Sequence, residues 1–177
     1  MRASRIPTQA RVRELFDFNK MTGEFCRKIR TANSVSVGDR ADRNGPSGYL
    51  VCAVDGVAVM AHRLAWLHVY GEWPSAVGYD IDHVDGNKKN NAIGNLRVAT
   101  RSQNNINSAT HKSNTSGVRG VSWCKRTGRW QAHVHIGKKA VFLGRFYDLR
   151  EAAQVRVDAV KREYGAYSRR QVDEICN

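Results

Sequence analysis

Four side chains in the middle of the chain have the types and spacing of a hydrolytic site. An aspartate and a histidine are adjacent at Asp82 and His83, and carboxamides follow at Asn95 and Asn104. A hard cation such as Mg²⁺ accepts carboxylate and carboxamide oxygens and keeps several waters, so Asp82 and Asn104 could hold one. His83, at the edge of that site, could take a proton from water as general base. The side-chain carbonyl of Asn95 could accept from the His83 ring and orient it.

This set of groups suits the hydrolysis of a phosphodiester. The reaction needs an activated water, stabilisation of charge on the transition state and help for the leaving oxygen. One divalent cation can meet the last two needs, and we expect Mg²⁺, with Mn²⁺ as the alternative. We expect no structural zinc, because the four cysteines lie far apart and form no Cys-x-x-Cys pair.

Other polar residues near these four receive structural interpretations. We expect Asn87, Asn90 and Asn91 to shape the loop through bonds from side chain to backbone rather than to act chemically. Asp85 fits a turn better than a metal site. His62 is interpreted as a packed or surface histidine, because a lone histidine carries no site signature.

Short elements must position the site. Residues 80–84 predict a strand, residues 85–87 a turn and residues 96–99 a returning strand. A helix should follow, because Thr100 and Gln103 fit the capping-box pattern. The expected order is therefore strand, long polar loop, strand, helix.

The segment before the site predicts two hairpins and a helix. Residues 15–27 alternate β-like runs around a glycine turn, and Asp55-Gly56 is a strong two-residue hairpin signal within residues 49–60. Residues 61–70 carry apolar side chains at helical spacing and stop at Gly71, a typical C-cap residue. The hairpins should form a small sheet that braces the site.

The C-terminal part has a different pattern. Three strands are predicted at residues 118–124, 129–136 and 139–146, and apolar and polar side chains alternate along the second. A helix opens at Asp148, and its apolar stripe should cover one face of the sheet. We place the domain boundary in the polar stretch that begins at residue 111, which gives domains at 1–110 and 111–177. Within the first, residues 1–60 brace and residues 61–110 carry the site.

The charge of the chain calls for a polyanionic partner. The 177-residue chain has a net charge of +13, and residues 111–177 contain 14 Lys and Arg but only 6 Asp and Glu. Double-stranded DNA is the expected partner and no membrane is expected, since no basic amphipathic helix stands out. Without an apolar signal core or a membrane-length apolar run, the expected location is the cytoplasm of a bacterial or phage-infected cell.

The central stretch resembles the HNH endonuclease family, in its phage and intron-homing branch. The likeness is carried by Ile81–Asn87, Asn90-Asn91, Asn95-Leu96-Arg97 and Thr100–Asn104. It implies a ββα-metal core, with Asp82 and Asn104 as metal ligands, His83 as general base and Asn95 as its positioner. The fold class expected for the whole chain is α+β: a small N-terminal sheet and this core, then a three-stranded antiparallel sheet with one packed helix.

Residues 114–168 resemble an AP2 DNA-binding domain. The likeness is carried by Ser116–Trp123, Gly128–Ala132, Leu143–Phe146 and Glu151-Ala152-Ala153. It implies that a sheet lies in the major groove of DNA, whose width admits a β element. The implied DNA-binding residues are of three kinds: residues on the DNA-facing strands, residues that contact phosphates, and one motif tryptophan. In that order they are Arg119, His133, His135 and Phe142; Lys125, Arg126, Arg129 and Arg145; and Trp123.

We therefore predict a metal-dependent DNA endonuclease whose C-terminal sheet recognises the sequence. The alternative is a DNA-binding regulator whose HNH half is a non-catalytic scaffold, and a third option is an RNA-processing nuclease. The oligomeric state, the recognition sequence and the choice between nicking and double-strand cleavage stay open at this point.

Overall fold

The computed structural model describes residues 6–73, 79–108, 110, 113–137 and 139–168. These residues form two compact units. The first comprises residues up to 83 together with 87–99, and the second comprises residues 84–86 together with those from 100 onwards. The predicted α+β class is confirmed. Of the four sheets in the described residues, three are antiparallel and the fourth consists of two strands.

The first unit begins with a short helix and a hairpin. Helix α1 (Gln9–Leu15) is capped by Thr8, whose side chain accepts from the Arg11 backbone N–H. Strands β1 (Phe16–Phe18) and β2 (Phe25–Arg27) then pair antiparallel. The hairpin confirms the prediction, but α1 was missed because a helix of two turns carries too little periodicity to recognise.

The second hairpin of this unit also forms as predicted. Strands β3 (Arg43–Asn44), β4 (Leu50–Val54) and β5 (Val57–Met60) make a three-stranded sheet in that order. Asp55 and Gly56, at the β4–β5 turn, both have positive φ, as a tight two-residue hairpin turn requires. The bracing sheet is thus built as two small sheets rather than one.

Helix α2 (Ala61–Tyr70) and the next two strands complete the first unit. The helix ends at Gly71 in the left-handed conformation, as predicted. Strands β6 (Tyr79–His83) and β7 (Leu96–Thr100) form a two-stranded sheet. One apolar core joins these elements, with Phe16, Phe25, Leu64 and Ile81 among its buried members.

The second unit contains a short helix, a sheet and a long helix. Helix α3 (Arg101–Asn107) carries the predicted capping box. Strands β8 (Val121–Cys124), β9 (Arg129–Ile136) and β10 (Lys139–Phe146) pair in the order β10–β9–β8. Helix α4 (Leu149–Tyr164) starts at Asp148, whose carboxylate accepts two backbone N–H groups.

The covered face of this sheet is apolar as predicted. Ala132 and Val134 are fully buried on β9, and the apolar stripe of α4 packs over them. A β-bulge between Phe142 and Gly144 lets β10 change register along β9. The first strand is shorter than predicted, because β8 begins at Val121 and residues 118–120 belong to the preceding loop.

Candidate active site

Asp82 and His83 end strand β6 and are almost fully buried, at 5% and 4% exposure. A buried carboxylate needs a partner, and Asp82 has one in Arg97 on the neighbouring strand β7. Arg97 donates from Nε and Nη2 to the same oxygen, Asp82 Oδ2, at 2.9 and 2.7 Å. This pair fixes the Asp82 side chain in one orientation.

The His83 ring is held by Asn91, for which we predicted a different role. His83 Nε2 lies 3.0 Å from Oδ1 of Asn91, and Asn91 is completely buried. A carboxamide oxygen can only accept, so in the tautomer that uses this bond the ring proton is on Nε2 and Nδ1 carries the lone pair. A general base requires such a neutral ring. Asn91, predicted as a loop-shaping residue, thus also orients the histidine.

Asn95, predicted to orient His83, holds the loop through the contact that its amide nitrogen makes. Its Nδ2 donates to the backbone oxygen of Asn90 at 2.8 Å. Asn87 and Asn90 shape the loop as predicted: their side-chain oxygens accept from the backbone N–H groups of Lys89 and Ala92. A role for Asn95 towards the ring stays a prediction.

The turn of the first hairpin packs closely against the backbone of Asn91. Gly23 has φ +77°, and a Cβ atom at this position would lie 2.2 Å from the backbone carbon of Asn91. The Ile93 N–H also donates to the oxygen of Lys20, in the same turn, at 2.9 Å. Only glycine gives both this backbone conformation and this close approach. The N-terminal hairpin thereby sets the position of the residue that orients His83.

A second buried histidine packs against the first. The ring of His62, on α2, meets the His83 ring edge to face with centroids 5.2 Å apart, and Tyr49 packs on both rings. Burial, together with the neighbouring His83 and Arg63, lowers the pKa of His62 to about 3. His62 is therefore neutral. The prediction of a packed histidine holds, but nothing in the sequence showed that it packs on His83.

Lys88 closes the outer side of this aromatic group. Its ammonium lies 4.7 Å from the centre of the Tyr49 ring and donates to the backbone oxygen of Ser47 at 3.0 Å. A cation over an aromatic face is a favourable contact. The loop after β6 is thus tied to the segment directly before β4, which carries Tyr49.

Asn104 lies on α3, in the second unit. Thr100 and Gln103 fix the start of this helix: the Thr100 hydroxyl accepts from the Gln103 N–H, and the Gln103 side chain accepts from the Thr100 N–H at 2.8 Å. Asn104 is partly exposed and follows the capping-box residue Gln103 directly.

Each of the two predicted metal ligands has a donor group of the kind that a hard divalent cation accepts. Asp82, in the first unit, has a carboxylate held by Arg97, and Asn104, in the second unit, has a carboxamide on a capped helix. Among the residues that the structure describes, no three His, Cys, Asp or Glu side chains form a metal-binding cluster, so a zinc-type cage of such groups is not present there.

The open face of the C-terminal sheet brings together most of the predicted DNA contacts. Phe142 and His133 are cross-strand partners with ring centroids 5.1 Å apart, and the Arg145 guanidinium lies 5.4 Å from the Phe142 ring centre. Phe142 is half exposed. His135 and Arg129 share this face by the alternation of β9, and Lys125 and Arg126 lie in the turn between β8 and β9. The face is basic and aromatic.

Tyr147 extends this face and was not predicted. The Arg129 guanidinium lies 4.2 Å from the centre of the Tyr147 ring and donates to the Tyr147 hydroxyl. Tyr147 is 75% exposed, which is unusual for an aromatic side chain. Its place directly after Arg145 and Phe146 was the available signal.

Arg119 was predicted on a DNA-facing strand, and this placement needs correction. Arg119 lies outside the sheet, before β8, and donates to the backbone oxygens of Asn105, on α3, and of Ser108, which follows the helix. Trp123, on β8, pairs with Trp130 of β9 with ring centroids 5.1 Å apart and is 45% exposed, and its role towards DNA stays a prediction. Strand 118–124 was predicted too long, and this error put Arg119 in the sheet.

Comparison with known proteins matches the part of the chain that contains these residues. The family model of the HNH endonucleases matches residues 59–106, which run from the end of β5 to α3. "Protein 3.8" of Escherichia phage T7 is 44% identical over 85 residues, which cover 48% of this chain and 69% of that protein. The chain belongs to the HNH endonuclease family.

A second relative carries the family name itself. It is an HNH endonuclease of Acanthamoeba polyphaga mimivirus, 43% identical over 79 residues that cover 44% of this chain. The match spans only 40% of that mimivirus protein. This match therefore does not show that the two whole proteins share an activity. In the described part of the chain, no helix is long and apolar enough to cross a membrane.

Proposed function

We propose that this protein is a metal-dependent DNA endonuclease that hydrolyses phosphodiester bonds. One observation carries the proposal: a buried histidine next to a buried aspartate is held by Asn91 through its Nε2. A histidine that only packs in the core would need neither a carboxamide such as Asn91 to orient its ring nor a carboxylate such as Asp82 beside it. Family membership and the charge of +13 support the same reaction and the same substrate.

Each residue has a distinct role in this proposal. His83 takes the proton from the attacking water at Nδ1, while Asn91 accepts from Nε2–H and keeps the ring in place. Asp82 and Asn104 would hold a divalent cation, Mg²⁺ or Mn²⁺, which supplies charge stabilisation at the phosphate and the leaving oxygen. Asn95 is proposed to support the His83 loop from the return side.

Arg97 holds Asp82 in place. It donates from Nε and Nη2 to one oxygen of the Asp82 carboxylate, which is a strong, charge-assisted contact. Arg97 therefore orients the proposed ligand without being one.

The open face of the C-terminal sheet is proposed to bind the DNA substrate, in the manner that its AP2 likeness implies. The basic side chains there, Arg129 and Arg145, would contact phosphates together with Lys125 and Arg126. Phe142, His133 and His135 would face the bases in the groove. The exposed aromatic rings and guanidiniums on one face support this assignment.

A plasmid-nicking assay tests the proposal directly. Supercoiled plasmid is incubated with the protein in Mg²⁺, in Mn²⁺ and in EDTA, and the His83→Ala variant serves as the matched control. We expect conversion to nicked or linear DNA with either metal, and none with EDTA or the variant. The regulator alternative predicts binding without conversion in every condition. Single-stranded RNA of matched sequence, run in parallel, distinguishes an RNA-processing nuclease.

A further inference from the structure

Helix α3, which carries Asn104, is built into the C-terminal unit. Ile106 is 5% exposed and packs in one core with Val134 of β9 and with Ala159 and Val160 of α4. The turn at Gly165–Ser168, after α4, also packs on α3. The helix has seven residues, and a helix this short is marginal without such packing.

Arg119 secures the far end of the same helix. Its guanidinium donates to the backbone oxygen of Asn105 and, at 3.3 Å, to that of Ser108. The last carbonyls of a helix have no partner within the helix, and a cation there also meets the negative end of the helix dipole. One of the two carbonyls belongs to the residue directly after Asn104.

The loop that presents Arg119 is itself fixed to the sheet. Gly120 has φ +76°, and its oxygen accepts from the His133 N–H of β9 at 2.8 Å. Any Cβ at this position would lie 2.5 Å from the His133 oxygen. The Ser116 hydroxyl, earlier in the loop, donates to the oxygen of Val121 at 2.7 Å. Arg119 therefore reaches α3 from a rigid support rather than from a free loop.

We infer that Arg119 is a positioning residue for Asn104, and that the C-terminal unit supplies the support for one ligand of the metal site as well as the DNA-binding face. The inference rests on the proposed role of Asn104. It also gives the expected result of removing residues 114–177, which would take away the proposed DNA-binding face. Removal would also expose Ile106 and release the end of α3, so metal binding and cleavage would be lost too.

The test uses the full-length chain with single substitutions. Arg119→Ala should lower Mn²⁺ affinity, measured by calorimetry, by roughly 10–100-fold, which is the usual effect of losing a partner that orients a ligand. At saturating DNA, kcat should fall by a similar factor, while Kd for DNA in EDTA changes by less than about twofold. Arg119→Lys should recover part of both losses, since an ammonium can donate to one of the two carbonyls.

The matched control is Arg162→Ala, which removes the same charge from the second unit. Arg162 lies on the exposed side of α4, where its ion pair with Glu163 is worth little. Metal affinity and kcat should equal those of the wild type. Hydrogen exchange in the Arg119→Ala chain adds a local readout: amides of residues 101–107 should exchange faster and those of α4 should not. Uniformly faster exchange would instead mean general destabilisation and overturn the inference.

Two other results separate the possible failures. If Arg119→Ala weakens DNA binding and lowers the salt slope by about one while Mn²⁺ affinity stays unchanged, Arg119 is a phosphate contact and the inference is wrong. If the wild type neither cleaves DNA nor binds Mn²⁺, the proposed nuclease itself is wrong, and this inference falls with it.

Discussion

The two regions that the proposed reaction needs handle their polar side chains in opposite ways. Around His83 the polar groups are buried and held by specific partners: Asp82 by Arg97, and the histidine by Asn91. On the open face of the C-terminal sheet the polar groups are exposed, and Arg129 and Arg145 lie over aromatic rings. In the first region burial makes specific partners necessary, whereas in the second the side chains keep their contact with solvent and pack loosely.

This difference predicts how each region responds to change. A buried polar group that loses its partner keeps its full desolvation cost, so single substitutions near His83 should have large, specific effects. Exposed cations are already solvated, so each contributes a modest share of affinity that salt screens. Substitutions can therefore test whether catalysis and binding separate as the two environments indicate.

The largest effect is expected for the general base. His83→Ala should lower the cleavage rate by at least roughly a thousandfold, because the group that takes the proton from water is lost. Kd for DNA in EDTA should stay within about twofold. Rates come from plasmid nicking in Mg²⁺, and Kd comes from fluorescence anisotropy. An equal loss of cleavage and binding would contradict the separation of the two regions.

The next largest effect compares two asparagines of the same loop. Asn91→Ala removes the oxygen that accepts from His83, and kcat should fall by roughly 10–100-fold. Asn95→Ala removes a contact to the Asn90 backbone, and a smaller loss, under about tenfold, should follow. The melting temperature of each variant shows whether it folds. A larger loss of kcat for Asn95→Ala than for Asn91→Ala would favour the predicted role of Asn95, which is to orient His83.

This pair of residues shows what the sequence could and could not reveal. The capping box at Thr100, the C-cap at Gly71 and the hairpin at Asp55-Gly56 depend on neighbours along the chain, and all were predicted. Which asparagine reaches His83 depends on how a long loop folds back. That path is set by Gly23, far away in sequence, so no local pattern contains it.

The C-terminal unit shows the same limit. Alternation along β9 and the stripe on α4 predicted the sheet and its cover, because both are local periodicities. The packing of Ile106 and Arg119 joins α3 to this unit, and it is a long-range contact without a sequence signature. The predicted boundary at residue 111 follows composition, whereas the compact unit begins at residue 100.

A third test addresses the burial of His62. Its pKa is about 3 in the folded chain, against 6.5 for an ordinary histidine, because burial disfavours the charged form. The unfolded chain therefore binds a proton that the folded chain refuses. Stability from this group is complete above pH 6.5 and declines as the pH falls towards 3. Between pH 7 and pH 5 the loss should be about 2 kcal/mol.

The measurement compares urea unfolding at pH 7 and pH 5 for the wild type and for His62→Leu. The variant cannot bind the proton, so its stability should change less between the two pH values by about 2 kcal/mol. His135→Gln, at an exposed position of β9, is the control and should keep the wild-type difference. Equal differences in all three chains would mean that His62 is solvated.

The smallest effect is expected on the open sheet face, where each cation acts alone. Arg129→Ala and Arg145→Ala should each weaken DNA binding by roughly three- to tenfold at 100 mM salt and reduce the slope of log Kd against log salt by about one. In both variants kcat at saturating DNA should stay near the wild-type value, because both side chains lie on the open face of the sheet, opposite the face on which Ile106 of α3 packs. Phe142→Ala should weaken binding without altering the salt slope, since it carries no charge to release a counterion. If the arginine variants kept the wild-type slope, the phosphate contacts would lie elsewhere on the chain, and the exposed cations of this sheet would have to be assigned to solubility instead.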